Sequence, residues 1–195
     1  MSPSQPKGDR TRARILDEAV GLASVNGLGA LTIGPLAERL GISKSGLFAH
    51  FGSKETLQVE TLDRAAERFR AVVVTPLERE PDKSKRLAIF FSRWLDWIED
   101  CGLGGGCPVL AAAIEFDDVP GPVQESAQRH SRDLFDLIRR LARAARPAGD
   151  FEALAAGAHG LGLSHLLRVR LLGESEARTA TQRAFNALLA SENTP

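Results

Sequence analysis

GISKSGLFAHFGSKETL, residues 41–57, holds three serines, two lysines, two phenylalanines and one histidine in seventeen positions. It is too polar for a core strand and too aromatic for a linker. Just upstream, Thr32 is placed to cap a helix whose inward face is Ile33, Leu36, Ala37 and Leu40, and Pro35 falls in the first turn, where backbone N–H groups lack intrahelical partners. Gly41 permits a sharp turn, Ile42 can plug into a core, and Ser43 can cap a second, shorter helix with Leu47 and Phe51 facing inward. Lys44, Ser45, Gly46, Phe48 and His50 remain on the outer faces, near the positive end of that helix and with no carboxylate among them. This is the pattern of a helix-turn-helix whose second helix enters a DNA major groove, with Gly46 allowing close backbone approach.

The side-chain chemistry divides the roles. Lys44 and Ser45 suit base edges, whereas Thr32, Phe48, His50 and Lys54 suit the sugar-phosphate backbone. Phe48 carries no hydroxyl, so it can only pack on sugar or a thymine methyl. Ser53 can cap the next helix and present Lys54 with free N–H groups to a phosphate, although Thr56 stands where a capping box would have Glu or Gln. An ordinary αα corner with a solvated polar face gives the same pattern.

Outward from this stretch, apolar residues recur at helical spacing along the whole chain, as in Ile15, Ala19, Leu22 and Ala23, or Leu87, Phe90, Phe91, Trp94, Leu95 and Ile98. No alternating strand pattern occurs, and the expected class is all-α. The pattern predicts a long helix from about residue 53 that is interrupted over 76–82, an aromatic helix before CGLGGGCP at 101–108, and a short helix ending near Phe116. Further helices are expected at about 121–145, 150–172 and 175–191. Net charge is zero over 195 residues, yet residues 1–54 carry +3 and the remainder −3, which directs attention to a basic N-terminal module. Neither a signal-peptide h-region nor an apolar run long enough for a membrane span is present, so the expected location is the cytoplasm.

RILDEAVGLASVNGLGALTIGPLAERLGISKSGLFAHFGSKETL, residues 14–57, resembles the DNA-binding domain of the tetracycline-repressor (TetR) family of transcriptional regulators. The resemblance is carried by Ile15, Ala19, Gly27, Thr32, Ala37, Gly41, Ser43, Leu47, Phe48, His50, Phe51, Lys54 and Leu57. It implies an Ω-shaped all-α homodimer of about nine helices per subunit. A helix-turn-helix domain over 1–54 would precede an effector-binding and dimerisation domain over 55–195. It further implies phosphate contacts at Thr32, His50 and Lys54, a reading surface at Lys44, Ser45 and Gly46, and dimerisation through the last two long helices, about 150–191. Phe48 departs from the family, which most often has Tyr there.

In the C-terminal body, Phe90, Phe91, Trp94 and Trp97 place four aromatic side chains within eight positions. They could line a cavity for a flat or aliphatic effector, with Phe116, Phe135, His159 and His165 as further walls or polar handles; core packing is the simpler account of the same residues. The helix containing ALAAGAHGLGLSHLL has no charged face, and its glycines would let a second backbone approach, at a subunit interface or within a core. Cys101 and Cys107 flank GLGGG, which suggests a conformational hinge and leaves a thiol redox switch as an alternative. The expected function is a repressor that binds a palindromic operator as a homodimer and is released by a small apolar or aromatic effector. The competing readings are a DNA-binding redox sensor and a helical carrier or enzyme. The absence of GxSxG, HExxH and P-loop motifs argues against catalysis, and no cofactor or metal is expected.

Overall fold

The computed structural model describes residues 7–191. Among these the chain is all-helical: α1 (Lys7–Asn26), α2 (Ile33–Leu40), α3 (Lys44–Phe51), α4 (Lys54–Phe69), α5 (Arg86–Glu99), α6 (Pro108–Glu115), α7 (Pro122–Ala145), α8 (Phe151–Arg170) and α9 (Ala177–Ala190). The elements form two compact units, and the chain passes between them more than once. Of the described residues, one comprises 7–68 and 102–131, the other 69–101 and 132–191.

In the N-terminal unit, α1 buries Ile15, Ala19 and Ala23 at helical spacing against Leu36 and Ala37 of α2, Leu47 and Phe51 of α3, and Leu57 and Leu62 of α4. Ala112 of α6 and Val123 and Ala127 of α7 belong to the same core, with Phe116 packed at its edge. The helix ends follow from local chemistry. Gly41 closes α2 in the left-handed conformation at φ 65°, and Ser43 Oγ accepts the Gly46 N–H at 3.0 Å to start α3. The Ser53 hydroxyl accepts the Thr56 N–H at 3.0 Å and lies 2.9 Å from the Thr56 hydroxyl, so Thr56 supports the α4 start without a carboxylate. The expected cap at Thr32 forms differently. Its backbone is extended but its side chain makes no capping bond.

The glycine-rich segment at 102–106 lies directly against α1. Gly105 donates its N–H to Ser24 Oγ at 2.9 Å, Ser24 Oγ donates to the Gly106 carbonyl at 2.7 Å, and a Cβ at Gly105 would fall 1.7 Å from the Ser24 carbonyl oxygen. Only a residue without a side chain lets the loop lie this close to α1.

In the second unit, α8 packs on α5 and α9, and Leu87, Phe90, Phe91, Trp94, Leu95, Ile138, Leu154, Ala158 and Phe185 are buried. The chain after α4 leaves α-geometry at Arg70, earlier than the expected break, through a π turn over Arg70–Val74 and a 3₁₀ turn over Thr75–Arg79. Pro76 has no N–H to give the Val72 carbonyl four residues back, and Arg93 of α5 donates to that carbonyl at 3.1 Å instead. At the far end, Arg146 donates to the Leu188 and Leu189 carbonyls at 2.9 and 3.2 Å, satisfying the last turn of α9. Two glycines of α8 are spent inside the subunit. A Cβ at Gly162 would lie 2.2 Å from the Trp94 ring, and one at Gly157 would lie 2.6 Å from Leu188. Gly160 meets nothing within 4 Å and is exposed.

Candidate nucleic-acid interface

The short helix α3 is anchored by Leu47, fully buried, and Phe51, nearly so. These are the two positions, four apart, that point into the N-terminal core. Around the rest of the helix Lys44, Ser45, Gly46 and Phe48 are exposed and His50 is half-buried. Phe48 leaves 52% of its surface in solvent, a large apolar ring facing outward beside two polar residues and a lysine. Ser45 Oγ lies 3.2 Å from Ser43 Oγ. A Cβ at Gly46 would come 3.0 Å from that same Ser43 oxygen, so glycine protects the cap as well as keeping the helix surface low. Lys44 folds along α2, its Cε and Nζ within 3.5 and 3.7 Å of where a Gly34 Cβ would stand.

Thr32 and Lys54 sit at the starts of α2 and α4, two helix N-termini on the same unit as α3. Because Thr32 does not cap its helix, its hydroxyl is free of that bond and can donate to an anion. Lys54 is exposed and donates from Nζ to the Gly29 carbonyl at 2.7 Å, which fixes its ammonium beside the turn between α1 and α2.

Sequence reasoning missed the residues that hold this surface together. Arg12 donates to the His50 carbonyl and to Glu60, and its guanidinium lies 4.7 Å from the Phe51 ring centroid. It therefore clamps the end of α3 onto α1 and α4. Gln58, buried, donates to the Leu28 carbonyl at 2.7 Å. Glu115, at the end of α6, accepts the N–H groups of Leu28 and Gly29 at 2.9 and 2.7 Å. A contact between residues 86 or 87 positions apart leaves no local signal in the sequence.

The ligand-side candidates separate into two groups. Phe90, Phe91, Trp94 and Trp97 are all buried in the second unit. His159 stacks on Trp94 with centroids 6.0 Å apart and takes the Phe135 ring edge-to-face at 5.3 Å. Phe116, by contrast, belongs to the N-terminal unit and packs against its core. His165 is fully buried and both its nitrogens are engaged, Nε2 with Glu99 at 2.9 Å and Nδ1 with the Thr181 hydroxyl at 3.3 Å. Arg178 completes the network, reaching Glu99 at 3.3 Å and Asp96 at 2.8 Å. Burial pushes the His165 imidazole below its ordinary range against the opposing pull of Glu99, and burial alone does the same to His159. Cys101 and Cys107 are both buried thiols. Among the described residues no group of His, Cys, Asp and Glu could hold a metal ion, and no helix is long and apolar enough to cross a membrane.

Comparison with known proteins agrees with this geometry. Residues 15–61 match the bacterial regulatory proteins of the tetR family, and residues 84–185 match the tetracyclin repressor-like C-terminal domain. A TetR transcriptional regulator from Chloroflexus aurantiacus is 28% identical, with a TM-score of 0.80 over 94% of each chain. A TetR-family regulator from Cytophaga hutchinsonii, at 19% identity and TM-score 0.85, covers 99% of this chain and 100% of its own and shares the fold. The HTH-type transcriptional activator FasR of Mycolicibacterium smegmatis is 26% identical over 132 residues, 68% of this chain, and the match spans 60% of FasR. A helix-turn-helix carried on a tetracyclin repressor-like body places the chain in the TetR family and makes it a DNA-binding transcriptional regulator.

Proposed function

We propose that the chain acts in the cytoplasm as a homodimeric repressor, docking two copies of α3 in successive major grooves of a palindromic operator. A small apolar or aromatic effector in the C-terminal unit would release the DNA. The observation that carries this reading is the carboxylate-free outer surface of α3, where Lys44, Ser45, Gly46 and Phe48 are all exposed at a helix N-terminus. Base contacts fall to Lys44 and Ser45, and phosphates to Thr32, His50 and Lys54 with Phe48 packed on sugar. The protein works by binding and not by catalysis.

Dimerisation is supported by the outer face of α8. Ala153, Ala156, Gly160, Leu163 and Leu167 are exposed at helical spacing, and Leu171 and Leu172 beyond them are 76% and 63% exposed. Such an apolar stripe on a soluble domain marks a protein contact, and Gly160 is the position where a second backbone can come close. Glu115 supports the regulatory half of the reading, because a shift of α6 would pull directly on the two amides it holds at the turn between α1 and α2. For tenfold derepression the effector has to favour the released state by about 1.4 kcal/mol.

Fluorescence anisotropy with DNA from upstream of the protein's own gene tests the core claim. Saturable binding at low salt, lost in a variant combining Lys44→Ala and Ser45→Ala, is the expected result. Absence of binding to any nearby palindrome would refute it. A reporter fused to that promoter gives the sign of regulation: deletion of the gene should raise expression, and a fall would make the protein an activator, as FasR is named.

A further inference from the structure

Trp94 and Trp97, one turn apart on α5, are 0% and 3% exposed, and neither indole N–H has a hydrogen-bond partner among the described residues. A buried donor left unpaired is unfavourable, and tryptophans in cores ordinarily find an acceptor. The surrounding protein offers only weak substitutes. His159 lies nearly parallel to Trp94, at an interplanar angle of 16° with centroids 6.0 Å apart, and accepts no hydrogen bond from its N–H. Phe69 stands edge-to-face with Trp97 at 5.6 Å and offers at most a π face.

The orientation of Trp94 is fixed by the backbone. Its Cζ3 atom lies where a Cβ at Gly162 would come within 2.2 Å, and Cζ3 is across the six-membered ring from the carbon that bears Nε1. The benzo edge is thus pressed into α8, and the N–H edge points away from it. Any larger residue at 162 would dislodge the ring. The neighbouring rings Phe135 and His159 are only half-buried and meet edge-to-face at 5.3 Å, so the cluster reaches solvent on their side.

We propose that the C-terminal unit holds a flat ligand bearing a carbonyl-type acceptor, whose oxygen accepts from the Nε1–H of Trp94 or of Trp97. The proposal rests on the reading that this unit binds an effector. A hydrocarbon of the same shape would satisfy the apolar walls but leave both donors unpaired, and it should bind roughly tenfold more weakly or worse.

The chain has two tryptophans and no tyrosine, so indole signals report on this site alone. In the full-length protein labelled with ¹⁵N-tryptophan, two Nε1–H cross-peaks are expected, assigned with Trp97→Phe. Titration with 1-tetralone should move at least one indole proton downfield, with affinity roughly tenfold or more above that of tetralin, which lacks the oxygen. Indole cross-peaks unmoved by 1-tetralone and by acetophenone up to their solubility, or equal affinities for tetralone and tetralin, would overturn the proposal. DNA anisotropy run in parallel keeps the two claims apart. Release of DNA by a ketone that leaves both indoles unmoved would sink the site and spare the effector reading. Indole shifts at unchanged DNA affinity would uphold the site and count against effector control.

Discussion

Lys54 donates to the Gly29 carbonyl at 2.7 Å while standing at the N-terminus of α4, so one ammonium can tie the N-terminal turn and face a phosphate. Its loss is sequence-blind. In the dimer, Lys54→Ala should weaken all duplexes about equally and reduce the slope of log K against log salt by about 2, one per subunit, whereas Lys44→Ala should relax preference at one base pair of each half-site by about 1–3 kcal/mol. An operator library measured at two salt concentrations separates the two. Phe48 is half in solvent and has no hydroxyl, so Phe48→Tyr adds a phosphate donor where none exists. That variant should tighten DNA binding by about 0.5–1.5 kcal/mol, read by anisotropy, without moving the melting temperature. Inside the second unit, Gly162→Ala drives a methyl into the Trp94 ring and should cost about 1–3 kcal/mol in denaturant melts, with a change in indole fluorescence.

At the scale of elements, α8 serves two faces. Its inner face packs Leu154, Ala155, Ala158, Gly162 and His165, and its outer face carries the exposed apolar stripe from Ala153 to Leu167. Replacing Leu163 and Leu167 together by Glu should convert a dimer to a folded monomer in light scattering, since both are exposed in the single subunit, 37% and 52%. The inner face predicts a pH response. His159 and His165 both titrate below the ordinary value of about 6.5 because burial disfavours the imidazolium. The unfolded chain therefore takes up protons first, and stability falls as pH drops from about 6.5 toward the depressed folded values, with no histidine contribution above about pH 7.5. Thermal melts of wild type and His159→Phe should differ in slope over pH 5–6.5, the variant being flatter. Exposed Glu152, held below its ordinary range by Arg139, titrates under that window and does not confuse it.

Over the whole molecule, zero net charge conceals +3 in residues 1–54 and −3 elsewhere. Part of that positive charge is committed internally: Arg12 to Glu60 and Arg39 to Glu18. With Lys44 and Lys54 of both subunits counted, about four cations per dimer, operator affinity should fall by about 10² between 50 and 200 mM salt. A flat salt response would contradict a phosphate-contacting role for Lys54 and its neighbours.

What the sequence determined by itself was everything written in local periodicity and punctuation. The helical spacing of Ile15, Ala19 and Ala23, the left-handed Gly41, the Ser43 cap and the inward pair Leu47 and Phe51 all act within one or two turns, and their physics is complete within a short window. The all-helical class, the helix-turn-helix and its outward-facing residues were legible for that reason. Tertiary structure alone decided which residues pair at a distance. It placed Arg12 on the His50 carbonyl, Glu115 on the amides of Leu28 and Gly29, and Phe116 in the N-terminal unit. It also gave each glycine its neighbour: Gly105 beside Ser24, Gly157 under Leu188, Gly162 under Trp94, and Gly160 left open. A glycine in sequence says only that a Cβ is missing; what occupies the space depends on elements packed from elsewhere in the chain, and so does whether a buried indole finds an acceptor.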